Sequence, residues 1–101
     1  LKKILVASCW APHDGQGIGS LSTDLAVELR RRGHEVAYFA PPAENSVWGT
    51  EFGIDLIHSQ PDFRVDQIER AFSKILEFDP DVVFNNDNPF MQSLFPRIER
   101  A

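Results

Sequence analysis

The chain has a single cysteine, Cys9, so it cannot close an internal disulfide, and a reducing compartment is the simpler expectation. It also has no long apolar run. The first stretch, Ile4 to Ala7, falls far short of the ~20 residues of a membrane span. That stretch is also too short for the core of a signal peptide, and no cleavage-like site follows it, so a cytoplasmic location is expected. Positive charge is in deficit: 10 Lys and Arg stand against 15 Asp and Glu, a formal net charge of −5. An acidic balance gives no long-range attraction to nucleic acid or anionic membrane, and the run Arg30 to Arg32 is too small to make a basic face. No metal-ligand spacing exists, because His58 is isolated, and no cofactor is implied. There is no Gly-Lys-Ser or Gly-Lys-Thr, which excludes a P-loop. Internal repeats and low-complexity segments are lacking as well.

What remains is an ordinary globular composition, 43% apolar and 25% charged over 101 residues, enough for one compact domain. Residues 3–9 form an apolar run without polar alternation, the pattern of a strand buried on both faces of a parallel sheet. A glycine-rich connection follows, Trp10 to Gly19. From about Ser20 the spacing becomes helical, with Leu21, Leu25, Ala26 and Leu29 as the expected buried stripe. Gly33 is placed to cap that helix, behind arginines that suit the negative end of its dipole.

A second strand is expected over Glu35 to Ala40, stopped by Pro41-Pro42. Gly53 to His58 reads as a short third strand. Asp66 to Phe78 reads as a helix with an Asp66–Glu69 capping pair and a stripe of Ile68, Phe72, Ile75 and Leu76. Asp81 to Phe84 is expected to be a short buried strand running into a polar turn, Asn85 to Asn88. Asn88 and Pro89 then open a last helix. Strands alternating with helices argue for an α/β three-layer domain with a mainly parallel sheet of about four strands. Ligands of such sheets bind beyond the carboxyl ends of the strands, where the glycine-rich connection and the Asn85–Asn88 run both fall.

Each motif has two readings. Gly15-Gln16-Gly17 opens a helix, and glycines there let the main chain approach an anion such as phosphate. Equally, they satisfy unusual dihedrals in a plain connection. The dinucleotide fingerprint is a poor fit, because about five residues separate the glycines from Cys9 and the second strand ends without an acidic residue. In the run Asn85-Asn86-Asp87-Asn88, Asp87 suits a base or a partner for a sugar hydroxyl, and Asn86 and Asn88 suit polyol recognition. A cap and a turn account for one or two of these four residues. His13-Asp14 reads as a solvated loop pair, His34 as structural, and Cys9 as a buried strand-end thiol without an activating neighbour. Trp10 and Trp48 suit either stacking on a sugar or packing.

The stretch from Lys3 to Pro41 joins Lys-Ile-Leu-Val-Ala-Ser, Pro12, Gly15, Gly17 and Arg32-Gly33-His34-Glu35-Val36 before a proline. Together with Pro80-Asp81-Val82-Val83, it resembles the front half of the retaining GT-B glycosyltransferases, the subfamily 4-like group. Residues 43 to 65 have no counterpart in that likeness. The resemblance implies one Rossmann-like domain of two. Gly15 and Gly17 would face the donor phosphates and the acceptor, and donors preorganised there would stabilise a leaving diphosphate. Members commonly carry His-x-His after the Pro-Asp-Val-Val strand; here those places hold Phe84 and Asn86, so either Asp87 is the catalytic residue or no residue of this loop is.

The resemblance further implies that residues 1–101 are an incomplete acceptor-side domain, inactive alone and without the donor-binding C-terminal domain. In the full enzyme the partners are a nucleotide-sugar donor and an acceptor. An incomplete sheet leads to an expectation of self-association through an exposed edge or cleft face. The alternative is a non-catalytic α/β binding or protein-interaction module. A receiver domain is disfavoured by Ser8-Cys9-Trp10, where acidic residues would be needed.

Overall fold

The computed structural model describes residues 1–8, 18–41, 52–58, 65–86, 88 and 91. Along the chain these form β1 (Lys3–Ser8), α1 (Ile18–Arg31), β2 (Glu35–Ala40), β3 (Asp55–His58), α2 (Val65–Phe78) and β4 (Val82–Asn86). The four strands make one sheet in the order β3-β2-β1-β4, and every pairing is parallel. The protein is thus an α/β fold with a helix on each side of a parallel sheet, the three-layer arrangement its alternating pattern specifies.

Period-two alternation sorts the central strands between two cores. Leu5, Ala7, Ala37, Phe39 and Ile57 point to one face, where Ala71 and Ile75 of α2 meet them together with Met91. Ile4, Val6, Val36, Tyr38 and Ala40 point to the other, under Ala26 of α1. Both faces of β1 and β2 are therefore dry, which is why these strands read as unbroken apolar runs.

The amino ends of the strands are pinned by main-chain and side-chain bonds. Lys3 donates its N–H to Asp81 Oδ2 at 2.9 Å, while Asp81 N–H donates to the Lys3 carbonyl at 2.7 Å. Glu35 N–H donates to the Lys2 carbonyl at 3.0 Å, and Lys2 N–H donates to His34 Nδ1 at 3.2 Å. His34 is accordingly structural, bridging the start of the chain to the turn before β2.

Helix α1 ends as its sequence foretells. His34 N–H reaches the Leu29 carbonyl at 3.2 Å and Gly33 N–H reaches that of Arg30 at 3.0 Å, the paired bonds of a Schellman motif. Gly33 takes φ +97°, a conformation that side chains strongly disfavour. Arg30 and Arg31 occupy the last turn, at the negative end of the dipole.

Several details depart from the expected pattern. Leu21 is 67% exposed and Leu25 is 37% exposed, whereas Ser22, Thr23 and Ala26 are buried. The buried face of α1 is rotated away from the two leucines. Small side chains let the helix sit close to the sheet, and a buried serine hydroxyl is tolerated because it finds a partner. In α2, Ala71 and Ile75 are buried, Phe72 is partly covered and Leu76 is 39% exposed, so Leu76 flanks the stripe instead of belonging to it. The α2 start at Val65 places Asp66 inside the first turn, not at a cap.

The third strand begins at Asp55, two residues later than expected, because Gly53 turns the chain with φ +70°. Finally, β4 is neither fully buried nor finished at Phe84. It is the outer strand of the described sheet, which leaves Phe84 and Asn85 exposed. Its parallel pairing with β1 continues through Ala7↔Asn85 and Ser8↔Asn86.

Candidate functional site at the sheet crossover

The connection from β1 runs to β2 on one side, and β4 lies on the other. The carboxyl ends of β1 and β4 therefore mark the point where the strand order reverses, the usual place for a ligand in an open α/β sheet. Ser8 closes β1 there and Asn86 closes β4 in register beside it.

A polar cluster joins these strand ends. Asn86 donates from Nδ2 to Ser22 Oγ at 2.8 Å, joining β4 to the second turn of α1. Asn88 donates from Nδ2 to the Ser8 carbonyl at 2.8 Å, joining the residue just past β4 to the end of β1. Asn85 Oδ1 accepts the main-chain N–H of Asn88 at 2.9 Å, a side-chain bond three residues on with the spacing of a cap. The Asn88 carbonyl in turn accepts Met91 N–H at 3.2 Å.

Burial separates these residues. Asn88, Ser8 and Ser22 are 2%, 0% and 1% exposed, Asn86 is intermediate, and Asn85 is open to solvent. The asparagines thus divide into a buried member that holds the fold, an intermediate one tied to α1, and an exposed one at the strand end. Asn85 was noted in sequence only as part of the polar run; its position on the strand end, clear of the buried members, follows from the register with β1.

Of the residues singled out in sequence, Asn86 and Asn88 come together around β1 and α1 as just described. Gly15, Gln16, Gly17 and Asp87 lie outside the described residues, as do His13, Asp14, Cys9, Trp10 and Trp48. Among the described residues no group of three or more His, Cys, Asp or Glu side chains is arranged to hold a metal ion. Among them, too, no helix is long and apolar enough to cross a membrane.

A cleft of about 470 Å³ opens at the opposite rim, lined by Lys3, Glu35, Asp55, Lys74, Glu77 and Phe78 among others. Lys3, Glu35 and Asp55 are the first residues of three strands, so the cleft sits at the amino ends, away from the crossover. Its lysines and carboxylates are intermixed, the character of a solvated rim. Ligand chemistry is better placed at the carboxyl ends, where strand termini and helix starts converge.

An α/β domain with a four-stranded parallel sheet, a helix on each face and a polar cluster at the strand crossover is the class that this geometry defines. Comparisons with protein-family models, with curated proteins and with solved structures each return no match.

Proposed function

We propose that this chain is the acceptor-side, Rossmann-like half of a GT-B glycosyltransferase, which moves a sugar from a nucleotide-diphosphate donor to an acceptor. The observation that carries the reading is the crossover between β1 and β4, where Asn85 and Asn86 end the strand beside Ser8. Amide side chains at such a position offer both donors and acceptors, the complement of a hydroxyl-rich ligand. The likeness in Lys3–Pro41 and Pro80–Val83 to the subfamily 4-like group supports the same assignment.

In this reading Gly15, Gln16 and Gly17, just ahead of α1, present main-chain amides to phosphate and acceptor. Asp87, next to Asn86, is the general-base candidate, since Asn86 at the place of a family histidine takes up no proton. In an enzyme of this kind the donor is held mainly by a second domain. The parent reading frame decides the point: a following α/β half with an acidic donor pair, and nucleoside diphosphate release by the whole protein, sustain the assignment. A frame that ends near Ala101 overturns it.

A second reading, a non-catalytic interaction module, is favoured by one feature. Phe84 on β4 is 44% exposed, on the sheet face that carries α1. Leu21 and Leu25 lie on the flank of α1 opposite Arg30, whose Nε reaches the Gly53 carbonyl on the β3 side at 3.2 Å. Sedimentation of the purified chain across a concentration series separates the readings: self-association that Phe84→Ser abolishes supports an interaction surface.

A further inference from the structure

We draw no further inference here: the strongest candidate, the cleft of about 470 Å³ at the amino ends of β1, β2 and β3, is an open rim where Lys3 and Lys74 stand among Glu35, Asp55 and Glu77, and this mixture of charges points to no one class of ligand.

Discussion

Asn88 donates its side-chain amide to the main-chain carbonyl of Ser8 at 2.8 Å, a buried bond between residues 80 positions apart. It joins the segment beyond the outer strand to a central one, at the point where β1 and β4 have just completed their pairing. Removing the amide takes away a buried hydrogen bond that ties the two strand ends together. Asn88→Ala should therefore lower stability by about 1–3 kcal/mol. For a domain of this size each kcal/mol lowers Tm by roughly 4–8 °C. Thermal unfolding followed by circular dichroism reads the change directly, and an unaltered Tm would show that the bond is not holding the two strand ends together.

The cap of α1 offers a cleaner backbone test. Gly33 sits at φ +97°, and a Cβ placed there would meet Leu1 Cδ2 at 3.2 Å and no other side chain among the described residues. Leu1 is 99% exposed and moves aside easily, so the space around Gly33 matters little. The cost of Gly33→Ala comes from the left-handed conformation, roughly 1–2 kcal/mol. Urea unfolding should show a lower midpoint with an unchanged slope, since the surface exposed on unfolding is the same. A midpoint within error of the parent would mean that the turn reaches another conformation without strain.

Charge pairs on the helix surface should contribute far less. Glu28 accepts from Arg31 Nη1 at 3.2 Å and from Arg32 Nε at 3.1 Å, yet all three side chains are about half exposed or more. Pairs of this kind contribute at most about 1 kcal/mol and weaken with added salt. Glu28→Gln should change the urea midpoint only slightly at low salt and not measurably at high salt. A large, salt-independent loss would reveal a role for Glu28 beyond these pairs.

Much of the scaffold could be read from residue order alone, and the reasons are physical. Strand β2 ends where Pro41 follows Ala40, and α1 stops at Gly33, because proline and glycine act on the local chain whatever surrounds them. The rotation of α1 was not legible. Of its expected stripe, Ala26 and Leu29 do pack toward the sheet, but Leu21 and Leu25 do not, and Ser22 and Thr23 are buried in their stead. Part of the reason is tertiary: Ser22 is held by Asn86, 64 positions away. The polar run after Val83 was legible as a cluster at a strand end, but not in its division of labour. Which asparagine is buried and which faces solvent depends on the register with β1, a long-range property.

The revised helix face carries its own prediction. Ile75 is fully buried between α2 and the sheet, whereas its neighbour Leu76 is 39% exposed. Ile75→Ala leaves a cavity and should cost about 2–5 kcal/mol. Leu76→Ala removes a side chain that water already reaches, and should cost clearly less. Comparable losses in chemical denaturation would place both residues in the core and restore the wider stripe that the spacing alone suggests.

A last prediction turns on the direction of the Asn88 bond. In Asn88→Asp the introduced carboxyl meets the Ser8 carbonyl in a site that is 2% exposed for the parent side chain. When neutral, the carboxyl donates to the carbonyl as the amide does; when ionised, it has only lone pairs to offer. Burial and the facing oxygen both disfavour the charged form, so the carboxyl titrates at a higher pH in the folded protein than in the unfolded chain. Between those two values the folded state binds more protons, and stability falls as pH rises. Asn88→Asp should thus come closest to the parent in acid, lose stability as pH passes upward through the unfolded carboxylate range, and level off once the folded group has ionised. Asn88→Ala has no group to titrate, so its deficit relative to the parent should stay constant over the same range. Unfolding curves of the three proteins across pH make the comparison, and an Asn88→Asp deficit that shrinks with rising pH would show that residue 88 does not donate to Ser8.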